Sequence, residues 1–235
     1  MQKYLLLVCL SIFLASCSAA NSSTACPPNA EIDWIDVLKI NNMKYEHDYV
    51  EENDFPLDKQ IEKGKELGKV TYRMADSACS NHKMENGHAT FLTEGSPIYE
   101  IVNYPTSLVV MADNKVYVVS ENENAQTAKE LYPLNGYVKN IHLASLEDGS
   151  IVHTFSQHSK EQYVAAWSEL QLEDHEKLYK KGLFEGTRVF LEIELNNGIM
   201  FRQLYWADSN VFHSGVVGNV KIQNIITEEL KQADY

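Results

Sequence analysis

The chain has 235 residues with a formal net charge of −13, and 44% of its residues are hydrophobic. This length corresponds to one large domain or two small ones, and it is ample for a real core. The acidic balance argues against binding to nucleic acid and against adhesion to anionic lipid, because both repel a negative surface.

The first seventeen residues have the pattern of an export signal. Lys3 supplies a positive charge, residues 4–14 form an apolar run, and Leu14-Ala-Ser-Cys17 provides a small-residue cleavage site. The run is too short to span a bilayer as a helix, which takes about 20 residues. Leu-Ala-Ser-Cys also resembles the lipobox of bacterial lipoproteins, a family in which the signal is cut before the Cys and a diacylglycerol is attached to its sulfur. The resemblance implies a signal peptide over residues 1–16 and lipidation of Cys17.

This address predicts a protein held on the extracytoplasmic face of the cell membrane by the lipid on Cys17. A plain secretory signal, cut near Ala19-Ala20, is the main alternative, and a buried helix or strand over residues 4–15 is the other. Residues 17–30 are rich in Ser, Ala, Asn and Pro and predict a flexible tether. A globular domain then spans residues 31–235, with a candidate subdomain boundary near 132–136.

Two cysteines remain for other chemistry once Cys17 carries a lipid and Cys9 is removed with the signal. Cys26 and Cys79 can form a disulfide in an oxidising compartment. The sequence leaves the bridged and the free state both open, because it does not give the distance between their Cα atoms.

The half of the chain before residue 120 predicts mostly β-structure, since its apolar runs are short, β-branched or aromatic, and separated by turn residues. Residues 34–45 predict a hairpin around Asn41-Asn42, two residues that tolerate positive φ, with Leu38, Ile40, Met43 and Tyr45 on one face. Residues 46–66 predict a loop. The further strands are predicted at 67–74, 88–92, 98–104, 107–111 and 116–119, the last two joined by a turn over 112–115.

The second half mixes helices and strands. A short helix is predicted near 122–131, followed by strands over 137–143 and 150–155. The main helix is predicted at about 159–172, where Ser159 and Gln162 form a capping box and Tyr163, Ala166, Trp167 and Leu170 share one face. Helical character is expected to continue from residue 173 to 181.

The strongest hairpin is predicted over residues 188–206. A three-residue loop pairs Leu195 with Ile199 and sets Glu192 opposite Arg202, because a one-residue slip would move apolar side chains to the wrong face. Residues 216–226 predict a last strand. The predicted class is therefore α+β, mainly antiparallel sheet with one main helix.

Residues 79–88 concentrate Cys79, His82, Met84 and His88, and an exported loop of this composition could bind copper or zinc. Its spacing matches no closed zinc pattern, so a polar loop with a bridged or free Cys is the alternative. His153 and His158 flank the start of the main helix and could meet in space. His142 and His213 are expected to make ordinary polar contacts.

Catalysis has little support in the sequence, which contains no G-x-S-x-G, H-E-x-x-H or P-loop pattern. Several aromatic residues lie at predicted strand ends, where they would either stack on sugars or proteins if exposed, or pack against a half-buried sheet. They are Trp34, Tyr99, Tyr104, Tyr132, Tyr137, Tyr205 and Trp206.

Three segments within residues 31–105 resemble a group of uncharacterised lipoproteins from Bacillus-like bacteria. They are 33–41 with Met43 and Tyr45, 63–70, and 86–92 with 95–99. The resemblance implies a Gram-positive cell-surface protein and implies no activity or catalytic residue.

Together these features predict a membrane-anchored binding or interaction module, whose ligand is a protein, a cell-wall component or a small molecule. A metal-binding protein or enzyme built on Cys79, His82 and His88 is the alternative, and a structural lipoprotein without a ligand is a third. The sequence predicts no cofactor and no nucleic-acid partner, and it does not predict an oligomeric state.

Overall fold

The structure is a computed structural model that describes Cys26 and residues 33–47 and 61–233. These residues form two units. The smaller comprises Cys26, Asp33 and Ser77–Lys83, and the larger comprises residues 34–47, 61–76 and 84–233. Within the smaller unit a disulfide joins Cys26 to Cys79, with their Cα atoms 5.0 Å apart. The predicted signal peptide, Cys17 and the rest of the predicted tether lie outside the described residues.

The first of two sheets contains eight strands. They are β1 (Val37–Ile40), β2 (Met43–Glu46), β3 (Lys63–Lys69), β4 (Tyr72–Arg73), β5 (His88–Ala89), β6 (Pro97–Ile101), β7 (Val109–Ala112) and β8 (Lys115–Asn122). Their order is β3-β6-β7-β8-β2-β1-β5-β4. Every neighbouring pair is antiparallel except β4 and β5, which run parallel.

The second sheet contains seven strands. They are β9 (Val138–Ala144), β10 (Ile151–Thr154), β11 (Gln171–Leu172), β12 (Arg188–Leu195), β13 (Met200–Trp206), β14 (Val211–Phe212) and β15 (Val216–Val217). Their order is β10-β9-β12-β13-β14-β15-β11. The helices of the described chain are α1 (Met74–Ser77), α2 (Ala128–Leu131), α3 (Gln157–Trp167), α4 (His175–Lys180) and α5 (Val220–Gln232). The predicted α+β class is confirmed.

Turn chemistry explains two tight hairpins of the first sheet. Asn41 and Asn42 join β1 to β2 with φ angles of 54° and 60°. Asp113 and Asn114 join β7 to β8 with φ angles of 48° and 61°. Asn and Asp tolerate this left-handed region better than other residues with a Cβ, and paired positive φ angles match the twist of the strands. Both predicted hairpins are confirmed.

The predicted register of the β12–β13 hairpin is also confirmed. Glu192 lies opposite Arg202, and the backbone N–H of Leu195 donates to the carbonyl of Ile199 at 2.8 Å. The side chains predicted for the apolar face are all buried, namely Val189, Leu191, Ile193, Leu195, Ile199, Phe201 and Tyr205. The opposite face of this hairpin carries its charged pair, Glu192 and Arg202.

Two predictions about the first half are wrong in detail. Strand β3 begins at Lys63, inside the segment predicted as a loop, and the predicted strand 67–74 is divided between β3, β4 and the start of α1. Strand β3 is rich in Lys and Gly and has no regular alternation of apolar side chains. This composition is typical of an edge strand. The apolar pattern used for prediction does not detect such an edge.

The main helix starts earlier than predicted. Ser156 is the N-cap of α3, and its hydroxyl accepts a hydrogen bond from the N–H of Ser159 at 3.1 Å. The predicted capping box of Ser159 and Gln162 is therefore wrong. Helix α3 ends at Trp167, and the last residues of the predicted helix belong to β11.

The predicted last strand over 216–226 is wrong beyond Val217. The side chain of Asn219 accepts from the N–H of Ile222 at 3.0 Å and caps α5, which is the longest described helix. Ile222, Ile226 and Glu229 are buried at helical spacing. β-Branched residues suggested a strand here, but tertiary burial of one helical face decides the outcome.

A shared core holds the larger unit together. Tyr45 and Tyr117 come from the first sheet, Phe201 and Phe212 from the second, and Trp167 from α3, and all belong to one buried hydrophobic cluster. Trp167 donates its indole N–H to the carbonyls of Ala128 and Tyr132, which satisfies its polar atom inside this core. No helix among the described residues is both long and apolar enough to cross a membrane.

Candidate functional site

None of the seven aromatic residues at predicted strand ends is fully exposed in the structure. Tyr132, Tyr205 and Trp206 are buried, and the other four are half-buried. Tyr104 lies against the ring of Tyr137 at 5.4 Å between centroids, and its hydroxyl accepts from the N–H of Asn197 at 3.0 Å. Of these seven residues, Trp206 borders the candidate site described below.

The predicted ligands of the 79–88 segment have other contacts. Cys79 is consumed by the disulfide, which removes the thiol nucleophile of the enzyme hypothesis. The N–H of His82 donates to the carbonyl of Cys79 at 2.9 Å. In the larger unit, the carbonyl of Met84 accepts from Lys39 Nζ at 3.1 Å, and Nδ1 of His88 accepts from the N–H of Glu85 at 3.1 Å. Within residues 33–47 and 61–233 and at Cys26, no three His, Cys, Asp or Glu side chains are grouped to hold a metal ion. A metal role for this segment stays a prediction.

A polar row crosses the outward face of the second sheet. Thr154, His142, Glu192 and Arg202 lie side by side on β10, β9, β12 and β13. Nδ1 of His142 is 2.8 Å from Thr154 Oγ1, and Arg202 Nε donates to Glu192 Oε1 at 2.5 Å. The guanidinium of Arg202 also lies over the ring of Phe190 at 4.3 Å. Neighbouring side chains thus shield Glu192 on an outward face.

The neighbouring carboxylate Glu194 completes this network. It accepts from Lys139 Nζ at 2.7 Å and from Asn140 Nδ2 at 2.6 Å, and it lies 3.3 Å from His142 Nε2. Burial raises the pKa of Glu194, but these donors outweigh burial and hold it below its ordinary value. Burial lowers the pKa of His142 despite Glu194. Because both nitrogens of His142 already face oxygen atoms, the row is best explained as a structural network.

The C-terminal helix is held by a second buried carboxylate. Glu229 of α5 is fully buried, and its Oε2 lies 2.5 Å from Nε2 of His153. Burial raises the pKa of Glu229, but hydrogen bonds from Ser159, His153 and Ser156 hold it below its ordinary value. The partner of His153 is thus Glu229, not His158 as the sequence suggested.

Four rings form the strongest candidate for a binding site, here called the His–aromatic cluster: His175, Phe184, Trp206 and His213. Phe184 stacks on His175 with centroids 4.6 Å apart and lies 5.0 Å from Trp206. His213 lies 5.1 Å from His175 and 5.7 Å from Trp206. Both histidines are exposed, Phe184 is half-buried, and Trp206 forms the buried floor.

Ordered backbone positions the cluster. Asp174 caps α4 by accepting from the N–H of Lys177 at 2.8 Å, which fixes His175 at the first helical position. The N–H of His213 donates to the carbonyl of Leu204 at 2.8 Å, next to the strand that ends in Trp206. The loop that carries Phe184 is tied to the turn after β13 by Ser209, whose hydroxyl donates to the carbonyl of Leu183 at 2.5 Å.

The imidazoles of the cluster are chemically available. Neither ring of His175 or His213 hydrogen-bonds another described residue, whereas the rings of His47, His142 and His153 each do. Partial desolvation lowers the pKa of His213, the neighbouring His175 lowers it further, and Glu46 acts in the opposite direction. The neutral form of His213, which keeps a lone pair on one ring nitrogen, is therefore favoured.

Sequence analysis missed this cluster. His213 was interpreted as an ordinary polar contact, and His175 and Phe184 were not singled out. The cluster is assembled only when α4 and the loop after it lie beside β13 and β14. The His and aromatic residues of the cluster do not recur at a fixed spacing along the chain. No local sequence pattern therefore predicts the cluster.

A shallow cleft of about 350 Å³ lies between α3 and the segment 134–138. Leu134, Val138 and Val164 form its apolar wall. On its rim Glu161 accepts a hydrogen bond from Gln157, and Lys160 donates one to the backbone carbonyl of Lys139. Because both charged side chains of the cleft already have partners, it is a weaker candidate.

No family model, curated protein or solved structure matches this chain. The interpretation of the His–aromatic cluster therefore rests on its own chemistry.

Proposed function

We propose that the protein is a lipoprotein of the extracytoplasmic membrane face, anchored by a diacylglycerol on Cys17, that binds a ligand through the His–aromatic cluster. The exposed cluster is the observation that carries the binding role. The anchor and the compartment rest on separate features.

The lipid anchor is supported by the lipobox-like Leu14-Ala-Ser-Cys17. The extracytoplasmic compartment is supported by the Cys26–Cys79 disulfide. Disulfides persist in oxidising compartments and are rare in the cytosol. A diacylglycerol provides two acyl chains, and because each buried CH₂ contributes about 0.8 kcal/mol, two chains hold a protein stably on a membrane. The resemblance of residues 31–105 to lipoproteins of Bacillus-like bacteria favours a Gram-positive cell surface.

The binding role is supported by the composition of the cluster. Phe184 and Trp206 offer aromatic surface for the flat face of a ligand, and His175 and His213 offer nitrogens that are not used in the fold. Such a combination of apolar floor and free polar groups is what ligand sites share.

Cell fractionation tests the anchor. We expect the wild type in the membrane fraction and the Cys17→Ala variant in the culture medium or uncleaved at the membrane. Recovery of the wild type in the medium, cut near Ala20, would contradict lipid anchoring.

Sedimentation with isolated Gram-positive cell envelopes tests the binding role, using the lipid-free Cys17→Ala protein. We expect Phe184→Ala to reduce the bound fraction strongly, because Phe184 contacts the other three rings. Phe91→Ala is the control, since Phe91 is an accessible phenylalanine that lies outside the cluster. Equal sedimentation of both variants and the parent would refute this role for the cluster.

A further inference from the structure

We infer that His175 and His213 bind a divalent transition-metal ion, with Cu²⁺ the preferred ion, through their ring nitrogens. The inference names a ligand class for the His–aromatic cluster and rests on the proposed binding role of that cluster. It concerns a different part of the chain from the Cys79, His82 and His88 segment.

The separation of the two rings suits a shared metal ion. Imidazole nitrogens bind zinc or copper at about 2.0–2.1 Å, which places the metal about 3.2 Å from each ring centre. A tetrahedral angle at the metal then separates the ring centres by roughly 5.2 Å. The observed separation is 5.1 Å, with the ring planes at 89°. At this separation, ligation does not require the two backbones to approach each other.

The nitrogens are free to ligate. His47 Nδ1 lies 2.9 Å from the carbonyl of Val116, and His142 and His153 face carboxylates or a hydroxyl. By contrast, His175 and His213 make ring contacts but no ring hydrogen bonds to described residues. Among the described histidines, this pair alone combines open nitrogens with a neighbouring open imidazole.

The surroundings hold the rings before a metal arrives. Phe184 stacks on one face of His175, a contact that does not use the ring edge, and Trp206 lies 5.7 Å from His213. Imidazole nitrogens lie on the ring edge. Side chains that are already ordered lose less conformational entropy on binding, which favours affinity.

The electrostatic setting also favours a cation. Glu46 lies close enough to His213 to act on it as a negative charge, and the whole chain carries a net charge of −13. A negative protein raises the local concentration of cations.

Two imidazoles give an open site, in which water or atoms of a further ligand fill the remaining positions. Imidazole suits copper, zinc and nickel, whereas Ca²⁺ and Mg²⁺ take oxygen ligands. The order of stability for divalent ions places Cu²⁺ above Ni²⁺ and Zn²⁺. We therefore expect the site to bind Cu²⁺ reversibly and not to bind Ca²⁺.

Titration of the untagged Cys17→Ala protein with CuCl₂ tests the inference, with tryptophan emission as the signal. A Cu²⁺ ion on His213 lies beside Trp206 and quenches its emission. We expect His175→Ala and His213→Ala each to weaken apparent affinity at least tenfold, whereas His158→Ala, another exposed histidine, leaves it unchanged. CaCl₂ should give no quenching.

A second measurement separates quenching from binding. Calorimetry of a Trp206→Phe variant should retain the heat of Cu²⁺ binding, while most of the quenching is lost. Circular dichroism checks that each variant is folded. Equal affinity of the wild type, His175→Ala and His213→Ala proteins would overturn the inference.

The metal titration and the envelope experiment can fail independently. Envelope binding that depends on Phe184 but comes without Cu²⁺ binding would refute the metal and leave the binding role standing. Cu²⁺ binding at the pair without cluster-dependent envelope binding would support the metal site and refute the role at the envelope.

Discussion

Replacement of Glu229 by Ala tests how helix α5 is held in the fold. The substitution removes the carboxylate that faces His153 at 2.5 Å and accepts from the N–H of Ser156 at 3.4 Å. Hydrogen bonds to a charged group contribute about 1.5–3 kcal/mol each. Because Glu229 is the acceptor of two such bonds, and the side chain of His153 is 20% exposed and can be rehydrated, we expect a loss near the lower end for two bonds, about 3 kcal/mol.

Thermal unfolding at pH 7 measures this loss. In a domain of about 200 residues, 1 kcal/mol shifts Tm by about 2–4 °C, so Glu229→Ala should lower Tm by about 6–12 °C. Glu228→Ala is the matched control on the same helix. Glu228 pairs with Lys231 at 2.7 Å but its side chain is 64% exposed, so its loss should change stability by less than about 0.5 kcal/mol.

The pH dependence gives a second test of the same carboxylate. Hydrogen bonds hold the pKa of Glu229 in the folded state below its ordinary value of 4.5. The folded state thus favours the ionised form, and this stabilisation is present above pH 4.5 and is lost as pH falls through the folded pKa. The difference in stability between wild type and Glu229→Ala should shrink below that value. Equal stability of Glu229→Ala and Glu228→Ala at pH 7 would refute the reasoning.

Substitutions at three further positions test other parts of the fold. Cys79→Ser should lower the free energy of unfolding by up to about 4 kcal/mol on the chain-entropy model, because the disulfide closes a loop with a sequence separation of 53. A urea midpoint of the wild type that is the same with and without reductant would contradict this. Arg202→Ala should cost about 3 kcal/mol in urea unfolding, since Glu192 is only 3% exposed and loses its guanidinium partner, and an unchanged midpoint would refute that pairing energy. Asn114 has a φ angle of 61°, so Asn114→Gly should stabilise the β7–β8 turn by about 0.5 kcal/mol and Asn114→Ala should destabilise it. A higher Tm for Asn114→Ala than for Asn114→Gly would disprove the turn argument.

Local chemistry explains the parts of the fold that the sequence predicts. Two turns are predicted by Asn41-Asn42 and Asp113-Asn114, because few other residue types tolerate a positive φ angle. Alternation along β12 and β13 fixes which side chains face the core, and this sets Glu192 opposite Arg202. These signals act over a few residues and need no knowledge of distant contacts.

Tertiary contacts decide the parts that the sequence does not predict. Ile222, Ile225 and Ile226 have strand propensity, yet burial of Ile222 and Ile226 against the core stabilises a helix that Asn219 caps. The candidate site follows the same rule. His175 and His213 are far apart in the chain, and their proximity depends on how α4 and β14 pack.

The mass of the intact protein, purified from its native membrane beside a Cys17→Ala variant, tests the central claim most directly. The account predicts a chain that begins at Cys17, carries a diacylglycerol and lacks two hydrogens because of the Cys26–Cys79 disulfide. It also predicts that the variant carries no lipid. A wild-type chain that retains residues 1–16, or one that is cut near Ala20 without lipid, would contradict it.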